Sequence, residues 1–185
     1  MIRSFSGLVH TSAALVALVI GAVIFLRPKL GPGHRRLGYA YSLLMILQLA
    51  LSFFLFHLTG HFNFLHVFSL VSLPPLLLGF YHAFARRPAD RWLEKHFYWM
   101  TGSYLGLVSA FLAETSTRLL LPLWVRHFPG SAVTAFWLIV GLTSAWVLAA
   151  GIALQRRNRP IIARYLARLP KPESRILIEP PSRPR

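Results

Sequence analysis

FSGLVHTSAALVALVIGAVIFL, residues 5–26, carries no charged side chain, and Arg27-Pro28 closes it. A bilayer core of about 30 Å takes about 20 apolar residues as a helix, whereas a barrel strand takes only about 10. A helix satisfies its own backbone in lipid, where no water can do so. The stretch therefore predicts a membrane-spanning helix. It is too long for the apolar part of a secretory leader and reads as a retained span.

Four further apolar segments of similar length follow: 37–58, 62–84, 96–121 and 131–154. The composition agrees. Of 185 residues, 55% are hydrophobic and 14% charged, against roughly 25% charged in a soluble domain; the mean hydropathy is +0.54. The net charge of +15 is concentrated between the apolar segments and after them. That distribution excludes a disordered chain and a water-soluble nucleic-acid binder. The chain has no cysteine, which removes disulfides, thiolate metal sites and iron–sulfur clusters. Five carboxylates leave hydrolysis by carboxylate pairs without support. The fold class is all-α: a membrane bundle of five transmembrane helices in residues 1–155.

Lysine and arginine placement orients the bundle. The first connection holds Arg27, Lys29, Arg35 and Arg36, and the third holds Arg86, Arg87, Arg91 and Lys95. The second, around 59–61, holds none, and the fourth holds Arg126 with Arg118 just before it. The N-terminus is therefore expected outside and the C-terminus in the cytoplasm of a bacterial inner (plasma) membrane. Pro74-Pro75 should kink the third helix, and Pro122 should end the fourth. Residues 156–170 predict an interfacial helix on anionic inner-leaflet lipids. Its Ile161, Ile162, Tyr165, Leu166 and Leu169 lie opposite Arg164 and Arg168. Residues 171–185, rich in Pro, Arg and Ser, read as a disordered basic tail.

Polar groups within spans are costly and each needs a reason. On the second helix His34, Tyr41, Gln48 and Ser52 share one face, with Gly38 and Met45 close to it. On the fourth, His96 and Glu114 lie five turns apart, roughly 27 Å, on one face near Ser103 and Thr117. Beside them Gly102 and Gly106 form a G-x-x-x-G pair, which admits close approach of another helix. Glu114 has Arg118 at i+4, so an ion pair is its simplest state.

The histidines fall into two layers. His34, His82 and His96 lie toward the inner face, and His10, His57, His61 and His66 toward the outer. Facing helices that each offer an imidazole suit the axial ligation of a b-type haem. His10 with His66 and His34 with His96 are the two candidate pairs, with Tyr41 and Gln48 placed to position propionates or a quinone. His66 with Glu114 is an alternative site for a non-haem metal.

Two motifs carry a resemblance. His34-Arg35-Arg36-Leu37-Gly38-Tyr39-Ala40-Tyr41 has the form H-R-x-x-G-x-x-Y, and His96-Phe97-Tyr98-Trp99-Met100-Thr101-Gly102-Ser103-Tyr104 the form H-x-x-W-M-x-x-S-Y. With His66-Val67-Phe68-Ser69-Leu70 and Arg118, they resemble an uncharacterised family of bacterial multi-pass membrane proteins over about Lys29–Arg118. The resemblance implies that His34, Gly38, Tyr41, His96, Met100 and Arg118 are motif positions, and no activity. Thr101-Gly102 stand where that family often has a basic residue after the methionine.

Three functions stay open on these residues, and no catalytic residue is assigned. One is a haem protein for electron transfer, with a quinone or redox partner. Another is a proton-coupled transporter using Gln48, His66 and Glu114. The third is a non-catalytic subunit, able to form oligomers, whose polar stripes serve packing.

Overall fold

The computed structural model describes residues 5–27, 29, 31–55 and 64–167. The described residues form five helices: α1 (Phe5–Leu26), α2 (Pro32–Ser52), α3 (Phe64–Ala85), α4 (Trp92–His127) and α5 (Ala132–Ala167). Three contain stretches long and apolar enough to cross a membrane: Phe5–Leu26, His66–Ala85 and Ala132–Arg164. α2 and α4 are more polar, and they hold much of the buried surface. α2 buries Tyr41, Ser42, Met45, Gln48 and Leu49, and α4 buries Thr101, Ser103, Leu107 and Ala113. α2 packs against α1 and α3, and α4 against α1, α3 and α5. The apolar helices thus shelter the polar ones.

The core is small, built from Ala17, Tyr41, Met45, Leu49, Leu76 and Leu107. Large apolar side chains such as Val19, Leu43, Val71, Leu119, Leu142 and Trp146 face outward. Exposure on this scale is not the surface of a water-soluble monomer. It suits a bundle solvated by lipid, where packing and interhelical hydrogen bonds hold helices together. Tyr41 on α2 meets Ser103 on α4 at 3.0 Å, Ser52 on α2 meets Ser69 on α3 at 2.7 Å, and Ser109 on α4 donates to Ser144 on α5 at 3.0 Å.

Helix ends differ from the expected spans where proline was taken as a stop. α4 runs through Pro122 to His127, whereas α3 contains Pro74 and Pro75 within it, as expected. In both helices the lost donor and displaced carbonyl are absorbed within one continuous helix. α5 likewise passes through Pro160 to Ala167, so residues 156–167 extend the fifth helix instead of forming a separate interfacial one. At 1.5 Å per residue its 36 residues span about 54 Å, well beyond the lipid core. His57, His61 and the tail 171–185 lie outside the described residues. So do Arg168 and Leu169 and the side chains of Tyr165 and Leu166.

The close-packing glycines are not the expected pair. A methyl group on Gly106 would meet nothing within 4 Å, and one on Gly102 only Pro75 at 3.9 Å. Gly21, Gly79 and Gly151 instead sit tightly under Tyr104, Met100 and Leu105. Helical spacing gave Gly102 and Gly106 a common face, but among the described residues only Pro75 of α3 approaches it, at Gly102.

Candidate functional site

α2 begins, α3 ends and α4 begins at the same end of the bundle, and the helices part there around a cavity of about 360 Å³. α2 contributes His34, Arg35, Gly38, Tyr39 and Ser42 to its lining. α3 adds Phe80, Ala83 and Phe84, the turn adds Arg86, and α4 adds Trp92, Leu93, His96 and Met100. The walls are mostly apolar and aromatic, with two guanidiniums, two imidazoles and the Tyr39 phenol as the charged or titratable groups. That is the usual make-up of a small-molecule site.

His34 and His96 form the pair at its centre. Their ring centres are 6.3 Å apart and their planes 89° to one another. Two imidazoles sharing one metal ion hold their ring centres roughly 6 Å apart, from two metal–nitrogen bonds of about 2 Å and the ring radii. An edge contact between two free rings has a similar spacing. His96 is further fixed by its Nδ1, which donates to the Gly79 carbonyl at 2.8 Å. A carbonyl only accepts, so Nδ1 carries the proton and Nε2 keeps a lone pair. A backbone carbonyl holding the second ring nitrogen is a common support for a metal-ligating histidine.

Gly79 explains how that bond arises. A Cβ there would lie 2.6 Å from Met100 Sδ and 3.0 Å from the Met100 backbone nitrogen. The glycine lets α4 lie against α3 and leaves its carbonyl open to His96. His34 precedes the apolar part of α2. Burial, then the neighbouring His96 and Lys29, hold its pKa below the usual 6.5, so it is neutral at pH 7. Neutral imidazole is the form that binds metal.

The turn after α3 is also built tightly. His82 Nδ1 donates to the Arg87 carbonyl at 2.6 Å, and the Arg86 N–H donates to the His82 carbonyl at 3.1 Å. Arg86 lies over the Trp92 ring at 6.0 Å.

His10 and His66 are placed differently. His10 Nδ1 donates to the Gln48 carbonyl of α2 at 2.8 Å. His66, 1% exposed, packs beside Phe53, with ring centres 6.1 Å apart. α1 and α3 do not pack on each other. His10 meets α2 and His66 the residue that follows it, and the structure does not bring the pair together. Tyr41 and Gln48, expected to position a ligand, face the core: Tyr41 meets Ser103, and Gln48 Nε2 donates to Met45 Sδ at 3.7 Å. Tyr39 and Ser42 line the cavity in their stead. Gly38 does line it, with nothing within 4 Å of where its Cβ would stand.

Glu114 pairs with Arg118, and both side chains are more than half exposed. Glu114 is therefore not beside the buried His66, and among the described residues no three His, Asp or Glu side chains converge on a metal site. The expected Glu114–Arg118 ion pair is present, and the register of Glu114 on α4 turns it away from the neighbouring helices. Sequence reasoning also missed Gly79, Arg86, Phe80 and Trp92. A lone glycine inside the apolar α3 run was the one available signal.

No curated protein and no solved structure matches the chain. A family profile described as "Predicted membrane protein (DUF2306)" matches residues 7–154. The match is wider than Lys29–Arg118 and takes in α1 and the apolar part of α5. Five helices, an outward apolar surface and this coverage agree: the chain belongs to the DUF2306 family of predicted membrane proteins.

Proposed function

We propose that this protein holds a b-type haem between His34 and His96 at the cytoplasmic end of a bacterial inner-membrane bundle and serves electron transfer. The observation that carries the reading is the imidazole pair itself. Two neutral-capable rings, from α2 and α4, stand 6.3 Å apart on the lining of one apolar cavity. The Gly79 carbonyl fixes the His96 tautomer with Nε2 as the free lone pair. His34 and His96 would hold the group, and Tyr39, Phe80, Phe84 and Met100 would form the walls around it. Gly38 leaves room on the α2 side. The group would supply one-electron chemistry at its iron.

Charge distribution supports the orientation. Interhelix contacts pair His10 with Gln48 and Leu105 with Gly151, so neighbouring helices run antiparallel. Arg27, Lys29, Arg35, Arg36, Arg86, Arg87, Arg91 and Lys95 then lie at one end with the arginines of 156–164. By the positive-inside bias that end is cytoplasmic, and its basic residues face anionic inner-leaflet lipids.

The test is an absorption spectrum of protein purified from haem-supplemented cells, oxidised and reduced. The expected result is a Soret band that His34→Ala and His96→Ala each remove while the protein remains folded and in the membrane. A colourless wild-type protein, with no haem retained on reconstitution, overturns the reading.

A further inference from the structure

Resting on the haem reading, we infer that Arg86, with Arg35 across the cavity, clamps the carboxylates of the bound ligand, and that Arg86 is held in a strained backbone for that purpose. Arg86 has φ 51°, in the left-handed region. It directly follows the last residue of α3, the position where helices most often place glycine, because a Cβ there is unfavourable. Its N–H still makes the hydrogen bond to His82 that closes the helix, and that bond needs no side chain. The arginine side chain therefore adds nothing to the cap and takes the conformational cost.

What the side chain does is visible in its surroundings. It lies over Trp92 and lines the same cavity as His34 and His96, as does Arg35 on α2. Among the described residues no carboxylate lies within 4.0 Å of either guanidinium; the ion pairs there are Arg91–Asp90 and Arg118–Glu114. Two unneutralised guanidiniums beside an apolar cavity are matched to a flat apolar ligand with acidic groups on one edge. Haem b, with two propionates on one edge, has that form. Guanidinium binds carboxylate through paired N–H donors, which an ester cannot replace.

The experiment titrates wild type, Arg86→Gly and Arg35→Gln with haem b and with its dimethyl ester. It uses neutral detergent, where no anionic lipid competes, and reads the Soret band alongside thermal melting. Wild type is expected to prefer the diacid by about tenfold or more. Arg86→Gly is expected to lose most of that preference while its apoprotein melts no lower, and preferably higher, than wild type. Arg35→Gln should lose preference in the same way, and both variants should keep the axial-ligand spectrum once haem is bound. Equal binding of the two forms by wild type, or an Arg86→Gly protein that discriminates as wild type does, overturns the clamp and leaves haem binding standing. A wild type that binds neither form overturns both.

Discussion

The two ends of the bundle use the same side chain for different purposes. At one end His10 is tied to the Gln48 carbonyl and His66 is buried against Phe53. At the other end His34 and His96 face each other on the lining of a cavity, and among the described residues one of the four ring nitrogens is tied to a neighbouring helix. A buried imidazole is thus not itself a sign of a site. An imidazole that shares open space with a second one is. The contacts of His10 and His66 serve packing, because a polar group in lipid must find a partner within the bundle. His34 and His96 border open space, which is what the proposed function uses.

Substituting the residues behind each end would sharpen this contrast, and the largest effect is expected at Gly79. A leucine there meets Met100 and pushes α4 from α3, so Gly79→Leu should destabilise the fold by about 1–3 kcal/mol or more and weaken haem retention as His96 loses its acceptor. Denaturant unfolding in detergent and haem titration read the two effects. Equal behaviour of Gly79→Leu and wild type would erase the distinction between the ends. His10→Ala comes next: losing one interhelical hydrogen bond should cost about 1 kcal/mol, with the absorption spectrum unchanged.

Acidification probes the His34–His96 end from another direction. His34 is held below 6.5 in the folded protein. The unfolded chain therefore takes up its proton first as pH falls, and the fold loses stability from about pH 6.5 downward. Melting at pH 7 and pH 5 should show that loss, and His34→Ala should flatten it. The smallest effect belongs to Gly106. Nothing lies within 4 Å of its Cβ position, so Gly106→Ala should shift stability by no more than about 0.5 kcal/mol. A large loss there would mean that a partner packs on α4.

Much of this was legible in the sequence, for definite reasons. α1 occupies the expected residues 5–26, because an uninterrupted apolar run between charges has only one register in a bilayer. The proximity of His34 and His96 was legible too, since both lie near the start of helices at one end of the bundle. Proline misled at Pro122, because a helix supported by neighbours continues through a missing donor. Helical periodicity placed Glu114 on a face with His96 but gave no sign of which face meets another helix. For the same reason Tyr41 and Gln48 looked like cavity residues, although the cavity follows the adjacent stripe of His34, Gly38 and Ser42. Gly79 and Arg86 were hidden because their roles depend on α3 meeting α4, a contact between residues apart in the chain.

Haem stoichiometry in matched variants tests the central claim most directly. Pyridine-haemochrome content against protein mass should give one haem per chain for wild type and His10→Ala, and none for His34→Ala or His96→Ala. Two haems per chain in wild type, or haem retained by His34→Ala and lost from His10→Ala, would contradict the assignment of binding to the His34–His96 end.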